Sequence, residues 1–90
     1  MMRTVIEDSA VTEIVDRECT NYPRLEEAYE ALKWWLAHSP QSGEIIDDFH
    51  WLYRQSGDPE VNIPALIVLY IWDRDEVVIK YLTVRYPTIS

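Results

Sequence analysis

Between Pro64 and Pro87 the chain runs ALIVLYIW, DRDE and VVIKYLTVRY, and no other stretch is as apolar over such a length. These β-branched and aromatic residues suit a pleated, half-buried surface, and proline, which cannot donate to a ladder, marks its limits. The pattern predicts two long strands joined by Asp73 to Glu76, a four-residue loop built on a type I turn, since no Asn-Gly or Asp-Gly pair is present. Strict alternation along the second strand puts Val77, Ile79, Tyr81, Thr83 and Arg85 on one face and Val78, Lys80, Leu82, Val84 and Tyr86 on the other. Both sets are apolar at their middle. One face must therefore lie under other elements, while the other meets a partner or forms a shallow concave surface edged by Lys80 or Arg85.

Ninety residues make one domain, spanning 1–90, that buries roughly 60 to 65% of its unfolded surface. Four tryptophans, six tyrosines and an apolar share of 48% set it apart from disordered chains. The opening MMRTVIEDSA is charged by its third residue and has no apolar run, so neither a signal peptide nor a membrane span is expected, and the cytoplasm is the expected compartment. Cys19 is the one cysteine, which excludes an internal disulfide and a multi-cysteine zinc site; its place on an apolar stripe points to a buried thiol.

Upstream of the hairpin, Arg3 to Glu7 reads as a short strand, with Asp8 or Ser9 placed to cap a helix. Val11, Ile14, Val15 and Cys19 then form a single stripe at helical spacing over Ala10 to Cys19. A second helix is expected after Thr20 and Asn21, with Pro23 in its first turn, Glu26 and Glu27 near its positive end, and an inner face of Leu25, Ala28, Tyr29, Leu32, Trp35 and Leu36. Trp34 falls on its flank, and His38, Ser39 and Pro40 end it. Residues 44–63 have no settled period; a strand over Phe49 to Gln55 competes with a helical turn, and Ser56-Gly57-Asp58-Pro59 is a turn. The fold class is α+β: a small, mainly antiparallel sheet with a two-helix hairpin on one face, in the order β-α-α-β-β-β.

Charge bears on partners. Residues 1 to 64 carry 5 basic and 13 acidic side chains, while residues 65 to 90 carry 3 of each. The whole net charge of −8 thus sits in the first part, where it repels nucleic acid and favours a basic partner. Asp47, Asp48 and His50 lack further ligands at a recognisable spacing, so no metal is expected. No phosphate loop, nucleophile elbow or dinucleotide fingerprint is present, and no cofactor is expected. His50 with Tyr53 and Arg54 has the residue types of an acid-base and phosphate-binding cluster, because histidine titrates near neutrality and arginine forks onto phosphate. The plainer reading of the same residues is a partly exposed strand.

LKWWLAHSPQSGEII, Leu32 to Ile46, and LIVLYIWDRDEVVIKYLTVRYP, Leu66 to Pro87, resemble the helix end with its turn and the closing hairpin of the RelE/ParE superfamily of type II toxins. The element order resembles that family too. The resemblance covers a bit under half the chain. It implies a toxin that either cleaves messenger RNA on the ribosome or inhibits DNA gyrase, neutralised by an antitoxin that wraps it. On the RNA-cleaving branch it implies catalytic roles for Arg85 and Tyr86, at the end of the last strand, and for His50 and Arg54 before the hairpin. Tyr53, Lys80 and Trp72 are the candidate partner-binding residues, with an antitoxin, another protein or a second copy of the chain as partner. Only 2 lysines and 6 arginines face 16 acids, which disfavours RNA cleavage. A non-catalytic acidic protein-interaction domain is the alternative, and an enzyme of another class built on His50 is the third.

Overall fold

The computed structural model describes residues 2–86; Pro87, expected to close the hairpin, lies outside them. The elements in chain order are β1 (Thr4–Glu7), α1 (Ser9–Glu18), α2 (Leu25–His38), β2 (Glu44–Ile45), β3 (Trp51–Gln55), β4 (Ala65–Trp72) and β5 (Glu76–Arg85). The five strands form one sheet in the order β1-β5-β4-β3-β2. Every pairing is antiparallel except β1 with β5. The fold is α+β, as expected, with one strand more than the sequence suggested: β2 is a two-residue strand that pairs with Leu52 and Trp51. No helix among the described residues is long and apolar enough to cross a membrane.

Asp8 opens α1, its carboxylate accepting from the Ala10 N–H at 3.1 Å. Val11 and Ile14 are buried beneath it. The second helix begins at Leu25, later than the Thr20-Asn21 caps suggested, and no side chain caps it. Glu26 and Glu27 in its first turn still complement the positive end of the helix dipole. Arg24, just before it, reaches the Val61 carbonyl at 2.9 Å and pairs with Glu27 at 2.7 Å. Leu25, Ala28, Tyr29, Leu32 and Leu36 pack down onto Leu66, Val68 and Tyr70 of β4 and Val77, Ile79 and Leu82 of β5. Truncating any of the leucines costs about 2 to 5 kcal/mol through lost contact and the cavity left behind. Trp35, expected on this inner face, is instead 40% exposed.

In the hairpin the loop is three residues, Asp73 to Asp75, rather than four. The Asp73 carboxylate accepts from the Asp75 and Glu76 N–H groups at 2.8 and 2.9 Å, which pulls Glu76 into the strand. The larger departure is in β5. Tyr70 pairs with Ile79 but Leu69 pairs with Tyr81, so Lys80 is an extra residue without a partner, a β-bulge. The alternation changes phase there. Val77 and Ile79 are buried before the bulge and Leu82 after it, while Tyr81 is 54% exposed. The two faces expected from strict alternation are therefore each split between core and surface.

Candidate functional site

Of the four residues expected to be catalytic, Arg85 and Arg54 share one end of a sheet face, and Tyr86 and His50 lie elsewhere. Arg85 pairs with Ala65 at the end of β5, and Arg54 pairs with Ile67 on β3. Two strand spacings of about 4.8 Å separate β3 from β5. Tyr86 is directed elsewhere: its ring packs against Tyr22, before α2, with centroids 4.7 Å apart. His50 precedes β3, four residues or about 13 Å of extended chain from Arg54.

His50 and Arg54 are also engaged locally. Asp47 accepts from the Phe49 and His50 N–H groups, both at 2.8 Å, and its carboxylate oxygens lie 3.0 and 3.1 Å from His50 Nδ1. The Phe49 backbone bond, followed by the His50 ring, holds the Asp47 carboxyl below the usual carboxylate range. The pair is an imidazole oriented by a carboxylate, the arrangement of a general base. No protein hydroxyl or thiol is hydrogen-bonded to it among the described residues, and the bonds from the Phe49 and His50 N–H groups to Asp47 close a tight turn. Arg54 is ion-paired to Glu44 across the β2–β3 hairpin.

Among the candidate partner-binding residues, Tyr53 faces the core and is half-buried; burial pushes its hydroxyl pKa up. Trp72 stacks edge-on with Trp51 at 5.4 Å, and the Arg3 guanidinium lies 5.1 Å over its ring. Lys80 projects from the bulge to within 3.7 Å of Asp8, the residue that caps α1. Tyr53 and Trp72 thus both lie on the helix side of the sheet, packed against the core, while Lys80 is on the bulge. Nothing in the sequence marked Glu44 as the partner of Arg54, since residues 44–63 had no readable register.

What the fold does present is the sheet face turned away from the helices. By register it carries Leu52 and Arg54 of β3, Ile67, Leu69 and Ile71 of β4, and Val78, Tyr81, Thr83 and Arg85 of β5. Ile6 of β1, paired with Val78, extends it to the sheet edge and is 40% exposed. Its centre is apolar and its two arginines are at one end. Near the opposite end, by the Asp73 loop, a cleft of about 240 Å³ has Phe49, Trp51, Ile71 and Val78 in its walls together with Asp48, Asp73 and Glu76. Three carboxylates there make it a poor seat for phosphate.

Comparison of the chain with protein-family models, with curated proteins and with solved structures returned no match. Among the described residues no cluster of three or more histidine, cysteine or carboxylate side chains is placed to hold a metal ion.

Proposed function

We propose that this chain is a RelE/ParE-type toxin domain that acts by gripping a protein on the open face of its sheet, with a protein antitoxin as its neutralising partner, and that it does not cleave RNA. The observation that carries this reading is the open face itself: Leu52, Ile67, Leu69, Ile71 and Val78 form an apolar field continued by the exposed Tyr81 ring. A surface of that kind is a protein-binding surface, since monomeric domains seldom leave a broad apolar field in water. The resemblance of residues 32–46 and 66–87 to the toxin superfamily, and an order of one strand, two helices and a closing hairpin, support the family. The chemistry of RNA cleavage has less support. His50 is tied to Asp47, Arg54 to Glu44, and Tyr86 packs on Tyr22, away from Arg85.

The test is inducible expression in a bacterial host that supplies no antitoxin. Growth arrest with messenger RNA left intact is expected, and Tyr81→Glu, which puts charge into the open face without touching the core, relieves the arrest at an unchanged soluble level. Normal growth at high soluble expression favours the second reading, a non-toxic acidic interaction domain, which the net charge of −8 supports.

A further inference from the structure

The start of β1, the end of α2 and the β4–β5 loop meet around a groove of about 530 Å³, lined by Arg3, His38, Gln41, Arg74 and Asp75. It shares no lining residue with the acidic cleft beside Phe49. Its charge runs against that of the rest of the chain, which has 8 basic residues and 16 acids. Arg17, Arg24, Lys33, Arg54 and Lys80 each lie within 3.7 Å of a carboxylate. Arg3 and Arg74 have no such ion pair among the described residues, and both stand in this one groove, where Asp75 is the one acid.

Two of the lining side chains are also held in place. The Arg3 backbone N–H donates to the Ala37 carbonyl at 3.0 Å, its Nε donates to the Asp73 carbonyl at 2.8 Å, and its guanidinium lies 5.1 Å over the Trp72 ring. These contacts use one edge and one face of the fork; its two Nη groups meet no acceptor among the described residues. The His38 ring stacks on Trp34 with centroids 4.1 Å apart. Because a carbonyl oxygen can only accept, His38 Nδ1–H donates to the Trp34 carbonyl at 2.7 Å, which fixes the ring and leaves Nε2 without a protein partner among the described residues. A guanidinium held in this way has already given up rotamer freedom that binding would otherwise cost.

Planar guanidinium forks recognise oxyanions through paired N–H···O bonds. A carboxylate brings two oxygens and a single charge, whereas a phosphate monoester brings three terminal oxygens and a charge of about −1.5 to −2. The second uses more of what the groove offers: the Arg3 Nη groups, the Arg74 fork and the Gln41 amide. A nucleic acid or an acidic phosphorylated segment would run on from the groove over a chain of net charge −8 and be repelled, while a small molecule ends inside it. The volume also falls in the range of about 300 to 1,000 Å³ usual for small-ligand sites. We propose that this groove binds the phosphate group of a small phosphate monoester, with Arg3 and Arg74 pairing with the phosphoryl oxygens and the Gln41 amide donating to one of them. The site goes beyond the protein-binding role of the open face and does not depend on it.

The full chain is titrated at low salt with glycerol phosphate, following backbone amide shifts by NMR, and in parallel with glycerol, with acetate and with the peptide acetyl-Ala-Ala-phosphoserine-Ala-Ala-amide. Shifts confined to Arg3, His38, Gln41, Arg74, Asp75 and their neighbours are expected, with glycerol phosphate binding more tightly than acetate and glycerol causing none. Arg74→Gln, at an exposed loop position, weakens glycerol phosphate by about tenfold, the loss that accompanies removal of charge-assisted bonds. Arg3→Lys keeps the charge but removes the fork, and weakens binding as well. Asp75→Asn removes the one repelling charge and tightens it. As a control, Arg17→Gln takes the same charge from an exposed position outside the groove and leaves affinity within about twofold. The proposal is overturned if no shifts occur, if they spread over the surface, if acetate binds as well as glycerol phosphate, if Arg17→Gln weakens binding as much as Arg74→Gln, or if the phosphoserine peptide binds more tightly than glycerol phosphate.

Discussion

Tyr70 holds the turn after α2 against the sheet. It is fully buried in β4, and its hydroxyl donates to the Pro40 carbonyl at 2.5 Å. Gly43 makes the approach feasible: a Cβ there would sit 2.2 Å from the tyrosine oxygen and 2.7 Å from the Leu52 carbonyl. Burial pushes the Tyr70 pKa up to about 12 from its ordinary 10.0, with hydrogen bonding at the Gly43 backbone pulling the other way. A folded pKa above the unfolded one means that the stabilisation is complete below pH 10 and is lost as pH rises from 10 to about 12. Tyr70→Phe should therefore cost about 1 kcal/mol or somewhat more at neutral pH, from the orphaned Pro40 carbonyl. The difference between wild type and variant in urea melts should shrink between pH 10 and 12; a constant difference contradicts the assignment. The turn itself was readable from Pro40 and Gly43, but the tyrosine that pins it was not, because Tyr70 stands 30 residues away in chain and nothing local singles it out.

At the level of the element, the bulge in β5 decides which side chains meet the core. Lys80 was legible only as one polar member of an alternating strand, and alternation alone cannot reveal an inserted residue. The hairpin's extent was legible, because the apolar run, the DRDE turn and Pro64 are local signals. The face assignment was not, and with it went the expected grouping of Arg85 with Val77 and Ile79. Removing Lys80 would leave Ile79, Tyr81 and Leu82 on their present faces, whereas one alanine inserted after Tyr81 shifts the phase again and turns Leu82, which is 1% exposed, out of the core. The insertion variant should show no cooperative thermal transition. Lys80→Ala, by contrast, loses only a 3.7 Å contact with Asp8 between part-exposed side chains and should change stability by less than about 1 kcal/mol. Circular dichroism melts of the two variants separate phase from side-chain identity; an insertion variant as stable as the substitution would refute the phase argument.

Across the whole molecule, charge was the property most legible in the sequence and the location of any site the least. The acidic first part became the exposed flanks of α1 and α2, where Glu13, Asp16, Glu26, Glu27 and Glu30 all face solvent. Two of the candidate catalytic residues met partners that only the fold supplies, Glu44 for Arg54 and Tyr22 for Tyr86. Carboxylate repulsion at a net charge of −8 outweighs exposed pairs such as Arg17 with Glu18, whose side chains are 68% and 23% exposed. Sodium chloride shortens the Debye length from about 30 Å at 0.01 M to about 3 Å at 1 M. Raising it across that range should stabilise the fold by about 1 kcal/mol, a rise in Tm of about 4 to 8 °C for a domain of this size; a fall in Tm means that the attractive pairs dominate. The parallel pairing of β1 with β5 has a consequence in time. Of the five strands of this sheet the first made waits for the last, since Thr4 to Glu7 find their ladder on Glu76 to Ile79. Until β5 leaves the ribosome, the two helices have only part of a sheet to cover. Folding of the sheet is then a nearly all-or-none event that waits for β5, and a product that stops short of β5 is a substrate for chaperones and proteases rather than a smaller version of the same fold.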